Sequence, residues 1–264
     1  MLPLKTLTRR TAILAGFGGA GALIWNVNSL TLSPSFGHVF GAVEEWTKLS
    51  QRALLSPGEL AREYSPADIS PTFKPNGTIN PGGDDYDRHV AQNFVNWRLK
   101  IDGMVLRPLS LSVADLRRLP SRTQITKHDC VEGWTAIGMW TGVQLGLILK
   151  AAGVSKSARY AVFHCADNLD GEPQKGGRQN PGQYYESIDF SDAFHPQTII
   201  AYGFNGKSLS VAHGAPLRLR VERQLGYKHA KYLQRIELTD SFAHIAGGRG
   251  GYWEDRGYEW YAGI

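Results

Sequence analysis

Short runs of alternating apolar and polar residues, broken by Gly, Pro and Asn, fill the chain from Trp97 onward and predict strands. Trp97-Arg98-Leu99-Lys100-Ile101 alternates and meets Asp102-Gly103, a hairpin signal with Met104-Val105-Leu106 beyond it. Thr123 to Lys127 predicts a strand that carries His128, Asp129 and Cys130 at its end, and Tyr160 to Cys165 reads as a buried strand. Thr198 to Phe204, turned by Asn205-Gly206, then Leu217 to Val221, then Tyr232 to Leu238 complete the strand signals. Helical periodicity comes in short pieces: 113–119 behind a Ser112 cap and ahead of Pro120, Val143 to Ala152 closed by Gly153, and one turn within Ser187 to Ala193. Residues 44–63 carry apolar positions at helical spacing and predict an amphipathic helix ended by Ser56-Pro57-Gly58. Residues 65–88 read as an irregular arm punctuated by Pro and Gly. Strands and short helices mix without a strict βαβ rhythm, so the expected class is α+β.

At 264 residues and 42% hydrophobic, the chain can bury a sizeable core. Its net charge of +5 does not point to nucleic acid. Lys5, Arg9 and Arg10 account for much of it; without them 26 basic residues face 24 acidic ones, and no basic block occurs elsewhere. Residues 1–43 hold no Asp or Glu, and Arg9-Arg10 precedes a Gly/Ala-rich apolar run to Trp25, shorter than the ~20 residues a spanning helix needs. This is the pattern of a twin-arginine (Tat) leader, which predicts export to the periplasm in a folded, cofactor-loaded state. No small-x-small cleavage site follows the run at the usual distance, so the leader can also stay on as a membrane anchor. The expected divisions are leader 1–43, helix and arm 44–94, a main domain 95–240 and an aromatic, Gly-rich tail 241–264. The acidic Asp84-Asp85-Tyr86-Asp87 reads as a solvated face, because its spacing matches no EF-hand.

The candidate chemistry centres on Lys127-His128-Asp129-Cys130-Val131-Glu132-Gly133-Trp134. Cys130 is one of two cysteines, the other being Cys165, which is too few for a disulfide framework although one bridge between them is conceivable. A thiolate is a soft metal ligand and a good nucleophile, so three readings stand beside each other: ligand, nucleophile paired with His128, or small buried hydrophobe.

Four blocks in order resemble the sulfite oxidase-type molybdopterin oxidoreductases, nearest to the bacterial periplasmic protein-methionine-sulfoxide reductase catalytic subunits. They are Cys130 to Trp134 with Trp140-Thr141-Gly142-Val143; Asp192 to Pro196 with Ala201 to Leu209; His213 to Leu219; and Leu225 to Tyr232. The resemblance covers about residues 95–240 and implies one domain of mixed sheets with short helices, binding molybdenum through a single pyranopterin, Mo-molybdopterin. Cys130 matches the thiolate that holds the metal and is the implied catalytic residue. His213 and Arg218 match the pair that grips the pterin and its phosphate, although Arg220 looks as eligible as Arg218 on an alternating strand. His229, Ala230 and Lys231 match a phosphate cradle of backbone N–H groups and a lysine, and Cys165 matches a cofactor-contacting position at a strand end. Residues 73–76 sit where the relatives' arm crosses the pterin. Lys175, Arg178, Arg249 and Arg256 are candidates for a polar oxo-substrate. The resemblance implies oxygen-atom transfer at sulfur or a related centre, on a small oxo-substrate or oxidised methionine, in either direction: sulfoxide reduction as in the reductase relatives or sulfite oxidation as in the family's namesake. It also implies a separate redox partner, either a cytochrome or a membrane haem subunit. Val221-Glu222-Arg223-Gln224 departs from the Val-Pro-Trp common in relatives, and no haem-attachment Cys-x-x-Cys-His is present. The tail aromatics Trp253, Tyr258, Trp260 and Tyr261 form a substrate mouth, a partner surface or a packed tail. A non-catalytic cofactor-binding protein on the same fold is the competing reading.

Overall fold

The computed structural model describes residues 43, 45–52, 58–170 and 182–264. The leader and the loop carrying Lys175 and Arg178 lie outside these residues. Residues 48–264 form one compact unit.

Two five-stranded sheets build that unit. The first runs β2 (Leu109–Ser112), β1 (Arg98–Gly103), β10 (Leu233–Thr239), β5 (Tyr160–Asn168), β6 (Gln183–Asp189). Only β1 and β10 pair in parallel; their neighbours are antiparallel. The second runs β3 (Ser121–Asp129), β4 (Thr135–Gln144), β7 (Ile199–Phe204), β8 (Lys207–Ser208), with β9 (Arg218–Arg220) also on β7. Four short helices punctuate them: α1 (Asp84–Ala91), α2 (Val113–Arg118), α3 (Leu145–Ala152) and α4 (Phe190–Ala193). This is the expected α+β class.

The alternation in β1 works as predicted: Leu99 and Ile101 are fully buried while Arg98 and Lys100 face out. Its predicted hairpin does not form at Asp102-Gly103. The antiparallel partner is β2, and Met104 N–H donates instead to Leu238 O at 2.7 Å. Ser112 caps α2 as expected, accepting from Asp115 N–H at 3.0 Å while Asp115 bonds back to it. The turn at Asn205-Gly206 also holds, both residues taking positive φ (48° and 77°) between β7 and β8.

Three elements depart from the pattern. Helix α3 starts at Leu145, because Val143 and Gln144 still belong to β4. The expected turn from Ser187 is reduced to α4, capped by Asp189, because the preceding residues are strand β6. The arm ends in α1, whose first turn holds Asp84, Asp85 and Asp87; the acidic run complements the positive end of that helix and stays largely exposed.

Strands β4 and β6 escaped the pattern for different reasons. In β4 the inward positions are Ala136, Gly138, Trp140 and Gly142, so small residues conceal the period. Gly142 has no room for more: a Cβ there would lie 2.2 Å from Ile200 O on β7. In β6 nearly every position is buried, polar ones included, because Gln183, Glu186 and Ser187 enter buried hydrogen bonds or ion pairs.

Candidate cofactor site

Strands β3 and β4 pair from Ser121↔Val143 to Asp129↔Thr135, so the block around Cys130 is the tip of a long hairpin. Cys130 N–H donates to Trp134 O and Gly133 N–H to Cys130 O, both at 3.0 Å, closing a tight turn. Gly133 takes φ +84° there. Beside it, Glu132 accepts from Trp134 Nε1 (3.0 Å) and Lys74 Nζ (3.1 Å). The Cys130 side chain is half-buried, and burial pushes its thiol up. The protein alone therefore does not make Cys130 a thiolate.

His128 does not activate it. The imidazole is buried, its Nδ1 faces Arg220 Nη1 at 2.9 Å, and burial together with Arg220 holds its pKa well below the ordinary value. Its Nε2 lies against Gly226, where a Cβ would come within 2.6 Å. The Cys130–His128 nucleophile pair is thus not formed. Nor is a disulfide, since both cysteines are free.

The contact at Gly226 brings the second half of the site up to the hairpin tip. A 3-10 turn, Gly226–Lys228, leads into His229, Ala230 and Lys231. His229 and Lys231 line a cavity of about 140 Å³ together with Cys130, Glu132, Thr78 and Asp167. Lys231 Nζ donates to the Thr78 and Ala212 carbonyls. Thr78 Oγ1 donates to Asp167 Oδ2 at 2.7 Å, and Asp167 Oδ1 has no partner.

Arg218 lies directly behind and is fully buried. Its guanidinium donates to His213 O (3.0 Å), His229 O (3.3 Å) and Asn76 Oδ1 (3.4 Å) and lies 4.8 Å over the Trp140 ring, while among the described residues Nε has no partner and no carboxylate pairs with it. Burial, then Arg220, depresses its pKa to about 9. Arg220 differs sharply. It is held by both Glu222 oxygens and lies 4.4 Å over the Trp140 ring, so it is a paired core residue. The two arginines that the sequence left equivalent are separated by their counter-charges.

The remaining expected residues sit around this centre. The His213 ring is turned away, with Nδ1 at 2.8 Å from Ser210 Oγ, Nε2 at 3.1 Å from Phe73 O, and its face on Phe204; it meets Arg218 through its carbonyl. Cys165 is buried at the back, and burial first, then Asp167, pushes its thiol well up. The N–H groups of His229 and Ala230 are engaged with Gly226 O and Lys228 O, whereas that of Lys231 donates to no acceptor among the described residues. Lys228, just ahead of this segment, is fully buried between Glu186 and Glu254. Arg256 is paired with Asp170 at 3.0 Å. Asn76, Thr78 and Asp167 entered the site without a clear sequence signal. Only Asn76 belongs to the arm segment singled out above, and Asp167 is recognisable solely as a carboxylate in a buried strand.

One buried guanidinium (Arg218), one depressed ammonium (Lys231) and an orphaned His229 Nδ1 converge here, and among the described residues the carboxylate beside them is Asp167. Such a set fits an anionic group, because a buried charge without a partner is unfavourable by several kcal/mol, on the order of 3–5. A larger cavity of about 500 Å³, lined by His164, Cys165 and Arg235, lacks this property. Its Arg235 is already paired with Asp102 and Glu237, and Glu237 also holds His164. Among the described residues no three His, Cys, Asp or Glu side chains could hold a metal ion.

A profile of the oxidoreductase molybdopterin-binding domain matches residues 87–244. The chain belongs to this family. It is a molybdopterin-dependent oxidoreductase of the sulfite oxidase type, and its residues fit the cofactor: a thiol and an ammonium line the cavity, and a buried guanidinium without a carboxylate among the described residues adjoins it. A relative from Azospira oryzae, named as a protein-methionine-sulfoxide reductase subunit YedZ1, is 36% identical over 84% of this chain and 75% of its own length. The protein-methionine-sulfoxide reductase catalytic subunit MsrP of Xanthomonas axonopodis pv. citri is 29% identical over 82% of this chain and 70% of its own. The sulfane dehydrogenase SoxCD from Paracoccus pantotrophus superposes over 56% of this chain and 39% of its own, with a TM-score of 0.48 and 22% identity.

The unpaired cations set a pH dependence of stability. Burial, then Arg218, lowers the Lys231 pKa from 10.5 to about 7, so between these values the folded cofactor-free chain binds fewer protons than the unfolded one. This contribution is present above pH 10.5 and is lost as pH falls through 7. Asp167 acts oppositely: burial raises it from 3.8 to about 6, a contribution present below pH 3.8 and lost as pH rises through 6. In urea unfolding of cofactor-free protein, wild type is expected to gain stability relative to Lys231→Met from pH 7 to 9, by at most about 1.4 kcal/mol per unit. Parallel curves would show that Lys231 stays charged.

Proposed function

We propose that this protein is an exported reductase of organic sulfoxides that uses a single-pyranopterin molybdenum cofactor and draws electrons from a separate haem protein. The observation that carries the reading is the half-buried Cys130 on a cavity that Lys231 also lines, with the buried Arg218 bonded to two of its lining residues, Asn76 and His229, and paired with no carboxylate among the described residues. When bound, the molybdenum group supplies two-electron oxygen-atom transfer. Cys130 holds the metal as thiolate. Arg218 and Lys231 hold the phosphate, Arg218 through a planar fork that lysine cannot offer. His229 and Ala230 shape the turn that presents Lys231, His213 fixes Arg218 through its carbonyl, and Cys165 packs behind.

The names of the relatives supply the substrate class. A sulfoxide, two protons and two electrons give a thioether and water. The enclosed volume is smaller than the roughly 300–1,000 Å³ of most ligand sites, so Asn76 and Thr78, which reach Arg218 and Lys231 through single hydrogen bonds, have to move aside for a pterin. Export by the twin-arginine route rests on Arg9-Arg10 and the apolar run behind it, and retention of that run would put the enzyme at the membrane beside its electron donor. Among the described residues no helix is long and apolar enough to cross a membrane.

The test is elemental analysis of protein from a molybdate-fed, cofactor-competent host, followed by sulfoxide reduction with reduced viologen. About one molybdenum per chain and turnover of a sulfoxide are expected. Folded protein without metal from that host would overturn the reading.

A further inference from the structure

The cavity lining divides into two contiguous groups. Hydrogen bonds join Lys231, Thr78 and Asp167. Ring contacts join the other group: Trp253 stacks on Tyr258 with centroids 5.2 Å apart, and Tyr258 meets the Tyr227 ring edge-on at 5.3 Å. Val131, 45% exposed, and Tyr258, 39% exposed, leave this apolar half open to solvent beside Cys130. We propose that Trp253 and Tyr258 form a platform that binds the S-methyl sulfoxide end of an oxidised methionine side chain and selects it over sulfite. The proposal rests on the sulfoxide-reductase reading and names the residues that give it specificity.

The platform is rigid for reasons visible in the fold. Glu254, the residue after Trp253, is fixed by buried Lys228, which also holds Glu186 at 2.6 Å. Asp255 accepts from Tyr185 Oη (2.7 Å), Gly247 N–H (2.9 Å) and Arg249 N–H (3.0 Å). Tyr227 Oη donates to Glu259 O at 2.7 Å. Rings presented from a segment fixed at so many points lose little entropy on binding. A sulfur with its methyl group contacts such rings favourably, and the surface is apolar and neutral.

Sulfite is poorly served here. Arg218 and Lys231 belong to the polar half that an anionic cofactor claims. Lys74, the cation nearest the lip among the described residues, is paired with Glu132. The Glu132 carboxylate lines the cavity, and its hydrogen bonds to Trp134 and Lys74 hold its pKa below the usual value. A dianion beside Cys130 would face that charge with no unpaired cation in reach among the described residues.

The experiment uses the cofactor-loaded protein with N-acetyl-methionine sulfoxide N-methylamide. Dissociation constants are read without reductant by calorimetry, and KM and kcat with reduced viologen. Trp253→Leu and Tyr258→Leu keep apolar bulk without a ring; Trp253→Phe and Tyr258→Phe keep a ring. The leucine variants are expected to raise Kd and KM about tenfold with kcat within about twofold, and the phenylalanine variants to stay near wild type. A folded leucine variant with unchanged Kd and KM would overturn the platform while leaving the sulfoxide-reductase reading standing. Should Trp253→Leu fail to fold, the exposed Tyr258 variants decide alone. Wild type that oxidises sulfite and binds no sulfoxide would overturn both.

Discussion

Cys130→Ser is expected to abolish turnover while the protein keeps its fold and its cofactor. The turn at the β3–β4 tip is closed by backbone bonds from Cys130 N–H and Gly133 N–H, which serine preserves. The side chain is half-buried and fills no core, so the stability change should stay within about 1 kcal/mol. Exchanging a soft thiolate for a hydroxyl removes the protein ligand proposed for the metal. Loss of a hydrogen-bond partner one step out from a metal typically costs about 10–100-fold, so loss of the ligand itself should exceed about 100-fold in kcat. Phosphorus content should remain near wild type, because the serine leaves Arg218 and Lys231, the groups proposed to hold the phosphate, untouched. The check is phosphorus and molybdenum per chain beside kcat. A variant with more than a tenth of wild-type kcat would show that Cys130 is not the metal ligand.

Arg218→Met should do the reverse, emptying the protein of cofactor while sparing its stability. Arg218 is fully buried with three oxygen acceptors and no carboxylate. Methionine removes an unpaired buried charge as well as its hydrogen bonds, two opposing effects that should leave cofactor-free stability within about 1 kcal/mol of wild type. Its neighbour is the control. Arg220→Met strands Glu222 as a lone buried carboxylate and should cost about 3–5 kcal/mol. Arg218→Lys should bind cofactor weakly, since a point charge cannot reproduce the fork. Elemental analysis of purified protein and unfolding of the cofactor-free forms separate the cases. If Arg218→Met unfolds as readily as Arg220→Met and keeps its phosphorus, Arg218 is a structural residue.

The cofactor-free state therefore carries a local destabilisation aimed at its ligand. Lys231 is lowered to about 7, Arg218 to about 9 and Asp167 is raised to about 6, all first by burial. An anion that enters relieves the two cations together, so loading and stabilisation should be one event.

The sequence by itself determined the class of fold, the strands with clean alternation and the identity of Cys130. Those properties are local: period two in β1, a serine cap and its Asp115 partner, an Asn-Gly turn, a thiol between charged and aromatic residues. Ordered blocks along the chain were enough to indicate the family. The tertiary structure decided what local pattern cannot encode. Strand β4 was hidden because its inward glycines answer the backbone of β7 (Gly142) and the rings of Phe204 and Phe73 (Gly138), and β6 because its buried polar groups answer partners up to 73 residues away. Arg218 and Arg220 share a strand, a face and the Trp140 ring, yet Arg220 meets the Glu222 carboxylate while the hydrogen bonds of Arg218 go to the neutral oxygens of Asn76, His213 and His229. Lys228 and Lys231 are three residues apart, yet one closes a buried ion cluster and the other opens onto the cavity. Charge is written in the sequence, but whether a charge is compensated depends on which distant carboxylates folding brings beside it, and that difference separates the binding cations from the structural ones.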